Sequence, residues 1–300
     1  MKRNRVLVAV SFGPQSDAAL KYGRQIALKI KGMVSCLYVV EEPGFITRGL
    51  ISKEMQQKIR REAERSLSSK VHSIFGGPPE VPFEIMISPG KVHHKILEKA
   101  DELEARYIVM GRSDSIDLNK DLLGTNVRMV LARSIIPVCC VRNSANLQNN
   151  VALLPLNLHR FVSIKTAKTI EMARSFQWKV MVCSILPASE KGNPAVYKKR
   201  VQEIQKVMSD GGVACSTRLV YSDNKIAEEI LVLAESVKAG QIIMMTQREE
   251  AEGELFIGSN TRGILRKARQ TVFSLTPDIP VRYPSVKSNF DQLNKPLQSI

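Results

Sequence analysis

The 300-residue sequence predicts an α/β protein of two tandem domains, each a five-stranded parallel sheet sandwiched by helices. Three observations carry that prediction. Short apolar runs alternate with amphipathic segments, and strands joined through helices must lie parallel, because the crossover returns the chain to the same edge. The length fits two domains of about 150 residues. The second half also repeats the pattern of the first, which is visible when the sequence is compared with itself.

Residues 6–10, Val-Leu-Val-Ala-Val, form a continuous apolar run that ends at Ser11-Phe12-Gly13-Pro14, a strand followed by a turn. Ser16 or Asp17 is the expected cap of the next helix, which turns Ala19, Tyr22, Ile26, Ala27 and Ile30 inward and stops at Lys31-Gly32. Residues 34–40 make the second strand. Over residues 53–75, Met55, Ile59, Ala63, Leu67 and Val71 recur every four positions as one apolar stripe, the clearest helix of the chain. The run Gly76-Gly77-Pro78-Pro79 ends it. Strands are then expected at 83–87, 107–111 and 137–141, and helices at 91–104 and 126–133.

A shift of 146 places Val6, Val8, Val10 and Ser11 on Ala152, Leu154, Leu156 and Asn157, and Ile26 and Ala27 on Met172 and Ala173. A shift of 134 places Val92, Ile96 and Ala100 on Ile226, Ile230 and Ala234. It continues without a gap to Gly124, Thr125 and Asn126 on Gly258, Ser259 and Asn260. A third shift, 143, brings Pro137-Val138 onto Pro280-Val281 and implies a longer final helical region in the second copy. The polar stretch 143–150 has no periodicity and marks the boundary. The domains expected are therefore 1–146 and 147–283, packed as an internal pseudo-dimer, with an extension, 284–300, that either docks or stays mobile.

Formal charge is +15, from 44 basic and 29 acidic residues, with the excess shared between the halves. Such a balance attracts phosphates and anionic membrane surfaces. The basic residues nevertheless lie among acids on helices, as in Lys58-Ile59-Arg60-Arg61-Glu62, where a solvated face accounts for them. Only 5% of residues are aromatic and no stacking platform accompanies the charge, so no specific nucleic-acid partner is expected. Cys36, Cys139, Cys140, Cys183 and Cys215 show no CxxC spacing, as in a reducing compartment. The first apolar run is too short for a signal peptide, and no segment reaches the roughly 20 apolar residues of a membrane helix. A soluble, cytoplasmic chain is the expectation. His93 and His94 are adjacent on a helix and cannot face one metal. No Ser-His-Asp or paired-carboxylate arrangement stands out at meaningful spacing, although spatial triads need not be sequence neighbours.

One stretch carries the chemistry. Residues 108–126, IVMGRSDSIDLNKDLLGTN, read as a buried strand entering a glycine-punctuated loop that opens a helix at Gly124-Thr125-Asn126. Glycines let backbone N–H groups approach an anion closely, and the free N–H groups of a helix start carry partial positive charge. Arg112 and Lys120 add basic side chains, and Asp114 adds an opposing carboxylate. A plain strand-loop-helix connection accounts for the same pattern.

The spacing of Gly111, Asp114, Gly124 and Thr125 resembles the phosphate loop of ATP-binding universal stress proteins: Gly, two residues, Gly, nine residues, Gly, then Ser or Thr. Asp114 replaces the second glycine. Both halves resemble domains of that family, as far as about Val281. The resemblance implies its Rossmann-like fold, of the adenine nucleotide alpha hydrolase type, commonly paired through the fifth strand, with a homodimer as a further arrangement. It also implies ATP, with Mg²⁺, as ligand. The acidic residue that holds the nucleotide falls on Ser11, the adenine contact on Val39 or Val40, and the phosphate loop on Gly111, Arg112, Gly124, Thr125 and Asn126, with Lys120 beside it. In the second copy Asn157, Met245 and Arg248 stand at Ser11, Gly111 and Asp114, and Glu249, Glu250, Glu252 and Glu254 crowd the loop. That copy is not expected to bind ATP. The resemblance thus implies a stress-response binding or regulatory module using its first domain. The alternatives are a scaffold acting by protein contacts, or a cytosolic regulatory unit associated with a membrane transporter, for which the positive charge suits a membrane surface.

Overall fold

The first apolar run forms β1 (Arg5–Val10), whose Val6, Leu7 and Val8 are fully buried, as a strand covered on both faces requires. The structure is a computed structural model, and it describes residues 4–41, 52–76, 80–112, 123–142, 149–160, 162–192, 194–246, 248–251 and 254–276, with 290 and 293. The chain divides into two units, Met1–Ala145 and Asn146–Ile300.

In the first unit β1 is followed by α1 (Gln15–Lys29), β2 (Met33–Val40), α2 (Lys53–Phe75), β3 (Phe83–Pro89), α3 (Val92–Glu102), β4 (Tyr107–Gly111), α4 (Thr125–Arg133) and β5 (Val138–Val141). The strands are parallel in the order β3-β2-β1-β4-β5, with Val6 opposite both Val34 and Tyr107. The inward residues expected of α1 are all buried. Its capping differs from expectation. Pro14 is the N-cap and no side chain caps the helix; Ser16 lies inside the first turn and accepts the Ser11 N–H at 2.6 Å, while Asp17 pairs with Lys70 of α2. The α2 stripe is also only half used. Ala63, Leu67 and Val71 are buried, whereas Met55 is 49% and Ile59 38% exposed, so the first two turns run beyond the core.

The second unit contains β6 (Val151–Pro155), α5 (Val162–Phe176), β7 (Lys179–Leu186), a 3-10 turn (Ala188–Gly192), α6 (Pro194–Asp210), β8 (Cys215–Tyr221), α7 (Ile226–Ser236) and β9 (Gln241–Met245). A short antiparallel hairpin, β10 (Arg248–Ala251) and β11 (Glu254–Ile257), leads to α8 (Ser259–Lys267) and β12 (Thr271–Leu275). Its parallel strands run β8-β7-β6-β9-β12, the order of the first unit repeated. β2 maps onto β7 at a shift of 146, and α3, β4 and α4 map onto α7, β9 and α8 at 134. Even the left-handed residues recur at these offsets: Lys31 (φ 50°) with Gln177 (φ 59°), and Glu104 (φ 48°) with Lys238 (φ 52°).

The fifth strand corrects the sequence reading. The counterpart of β5 is β12, so the final helical region is not lengthened, and Pro280-Val281 lies outside the described residues. The Pro-Val match was a coincidence of two residues; the β-branched and aromatic run Thr271-Val272-Phe273 fits a buried strand better, and all of β12 is buried. Of the C-terminal extension, Phe290 and Leu293 are 3% and 2% exposed, and Arg200 of α6 donates to the Leu293 carbonyl at 3.1 Å. Among the described residues no helix is long and apolar enough to cross a membrane.

Candidate functional site

In a strand order of 3-2-1-4-5 the crossovers run in opposite directions on either side of the central pair. A crevice therefore opens beyond the carboxyl ends of β1 and β4, and beyond β6 and β9 in the second unit, where such folds hold ligands.

Around the first crevice the register sets Ser11 one residue beyond the pair Val10–Tyr38, level with Val39, while Gly111 ends the neighbouring strand. Val39 is buried and Val40 half-buried. Ser11 is exposed, but its hydroxyl lies 2.9 Å from that of Ser16 and its N–H is already donated there. Gly124 is the N-cap of α4, and among the described residues a Cβ added to it would meet nothing within 4 Å. No side chain caps this helix, and Thr125 is exposed in its first turn. Asn126 is half-buried, its Oδ1 3.3 Å from His93 Nδ1 at the start of α3; burial lowers the His93 pKa. Lys120 and Asp114 lie outside the described residues.

Two expected loop residues have other work. A Cβ at Gly111 would overlap the Gln15 carbonyl, so the glycine is demanded by the close approach of α1, whatever binds nearby. Arg112 is 3% exposed, its N–H is donated to the Val141 carbonyl at 2.8 Å, and its charge acts on the buried thiols of Cys139 and Cys140. Arg112 therefore belongs to the interior beside β5. The sequence reading also passed over Phe12. It is 46% exposed and packs on Tyr38 with ring centroids 4.6 Å apart, an aromatic pair near the carboxyl ends of β1 and β2.

The second unit holds a cavity of about 500 Å³ at its own crevice. Leu156 and Asn157 beyond β6, Leu186 at the end of β7, Met245 at the end of β9, and Gly258 and Ser259 at the start of α8 line it. These are the repeat partners of Val10, Ser11, Val40, Gly111, Gly124 and Thr125. Gly258 is an N-cap without a side-chain bond, as Gly124 is. In place of a glycine loop, the hairpin β10–β11 precedes α8. Lys165 of α5 also lines the cavity, although it is only 6% exposed. Its Nζ donates to the Pro155 carbonyl, and burial pulls its pKa down from 10.5 to about 8. The sequence held a signal for this residue: the shift of 146 sets Lys165 on the fully buried Ala19.

Comparison with known proteins agrees with this architecture. The universal stress protein family model matches residues 2–142. A universal stress protein from Archaeoglobus fulgidus aligns with 92% of this chain and 99% of its own, at 18% identity and a TM-score of 0.69. A putative universal stress protein from Pseudomonas aeruginosa aligns over 97% and 96%, at 15% identity and a TM-score of 0.64. A shorter Archaeoglobus fulgidus universal stress protein, solved in complex with dAMP, aligns with 47% of this chain and 98% of its own (20% identity, TM-score 0.34). No curated protein sequence matches the chain. The family match spans nearly all of the first unit, which is similar to that family, and the second unit repeats its strand order.

Proposed function

We propose that the protein is a non-enzymatic binding and regulatory module that takes ATP, with Mg²⁺, in the crevice of its first unit. The observation that carries this reading is the start of α4. Among the described residues it is a helix N-terminus with no side-chain cap and with open space at Gly124, set at the point where the strand order reverses. Free N–H groups there favour phosphate oxygens, and the helix dipole adds to the attraction. Phe12 and Tyr38 offer an apolar, stackable edge for a base, and Val39 and Val40 supply the strand end beside it. A bound nucleotide would bias the packing or partner affinity of the unit by its differential affinity for two states, which is how a binding module regulates. The family similarity of the first unit supports adding a role in stress response and a cytoplasmic location to this proposal.

Thermal denaturation with Mg·ATP tests it, because a ligand that binds only the folded state raises the melting temperature with concentration. A rise that Thr125→Glu abolishes supports the site. A carboxylate there favours the helix start yet repels a phosphate. No rise at millimolar nucleotide would leave the protein as a scaffold.

A second reading, contact with an anionic membrane surface beside a transporter, draws on α2. Its exposed Met55 and Ile59 sit among Lys58, Arg60 and Arg61. Flotation with anionic liposomes at physiological salt, lost in the double variant Met55→Ser, Ile59→Ser, would favour it.

A further inference from the structure

The buried lysine of the second unit has no counterpart in the first and no use in the reading above. Lys165 stands in the first turn of α5, and among the described residues no carboxylate pairs with it. An ammonium carries three donors, and the Pro155 carbonyl takes one. A buried, unpaired charge is costly, and a chain that keeps one beside a cavity has a group waiting for a counter-charge. The cavity walls supply the rest. Leu156, Leu158, Ile230 and Met244 are buried apolar side chains, and Gly258 and Ser259 present an uncapped helix start. A volume of about 500 Å³ suits a small organic molecule.

We propose that this cavity binds an amphipathic organic acid, an apolar body with a single carboxylate head that pairs with Lys165 and the start of α8. The site differs in chemistry from the nucleotide crevice. It has one buried cation and mostly apolar walls, and Glu190, which accepts the Tyr197 hydroxyl at 2.8 Å, puts a carboxylate in its lining. A triphosphate, with its several negative charges, would meet only Lys165 and the exposed Arg160 and would be opposed by Glu190. An apolar acid meets what it needs. The proposal does not rest on ATP binding in the first unit and stands if that reading fails.

Decanoate and its uncharged analogue decanol, titrated calorimetrically into the full chain at pH 7, test it. Decanoate is expected at one site per chain, with its affinity unchanged by saturating Mg·ATP. Lys165→Met is expected to weaken decanoate by about 10- to 100-fold, the range for losing a charged hydrogen-bond partner, while decanol keeps its affinity. Ser259→Glu gives a second readout that leaves the interior intact; it too should weaken decanoate and spare decanol. The proposal is overturned if wild type ignores decanoate at millimolar concentration, if both variants bind it as wild type does, or if Mg·ATP displaces it.

Discussion

Replacing Lys165 with Met should stabilise the second unit in the absence of ligand, and the gain should fade as pH rises. The folded protein holds this ammonium below its ordinary pKa of 10.5, at about 8, because burial penalises the charge. A displacement of that size corresponds to about 3 kcal/mol of unfavourable free energy carried by the folded state at neutral pH. The sign follows from proton binding. Below about pH 8 both folded and unfolded chains hold the proton and the full cost stands. Between 8 and 10.5 the unfolded chain keeps a proton that the folded chain has shed, so wild-type stability rises with pH relative to the variant. Above that window the cost is gone. The groups nearest Lys165 do not obscure this. Cys183 of β7, its thiol pushed up to about 12, stays neutral through the window, and His159, Arg160, Glu190 and Tyr197 around the cavity are common to both proteins. Urea unfolding of wild type and variant at half-unit steps from pH 7 to 10.5 reads the difference directly. At pH 7 the gain should raise the melting temperature of that unit by roughly 6–12 °C. A variant less stable than wild type at pH 7, or a difference that does not change with pH, would refute the reasoning.

Four further outcomes follow from the structure. Gly111→Ala should destabilise the first unit by about 2 kcal/mol or more, read by urea unfolding, because its Cβ overlaps the backbone of Gln15 and no flexible side chain can yield. Leu293→Ala should cost about 2–3 kcal/mol in the same assay, since Leu293 is buried and its carbonyl is held by Arg200. With Ellman's reagent and no denaturant, Cys36, Cys140 and Cys183 should not react at pH 7, because burial pushes each thiol up to about 12; Cys215, half-buried, is the one expected to react slowly. Decanoate affinity should weaken as pH rises through about 8, where the free protein loses the Lys165 proton, and Lys165→Met should show no such dependence.

Much of this architecture was legible in the residues. The bounds of α2 and β4 can be read from an unbroken apolar stripe and a short apolar run, because burial on one face or on two leaves different periods. The repeat was legible for the same reason: copies that bury the same faces keep the same pattern. What stayed hidden has tertiary causes. Gly111 looks like a loop glycine, and only the packing of α1 shows that a neighbouring backbone demands it. Arg112 looks like a phosphate ligand, and only the fold places it beside the thiols of β5. Met55 and Ile59 continue a perfect stripe past the end of the core, since periodicity does not record where the partner surface stops. The cavity of the second unit leaves little trace in the sequence, because its buried cation lies on α5, away from the loop motif. The residue that matters there is a lysine on a face whose twin buries alanine.

The most direct test of a duplicated module with two ligand chemistries is one calorimetric titration of Mg·ATP into the 300-residue chain. A single site per chain, lost in Thr125→Glu and kept in Lys165→Met, is the predicted result. Two equivalent sites, or a single site abolished by Lys165→Met, would contradict the division of labour between the units.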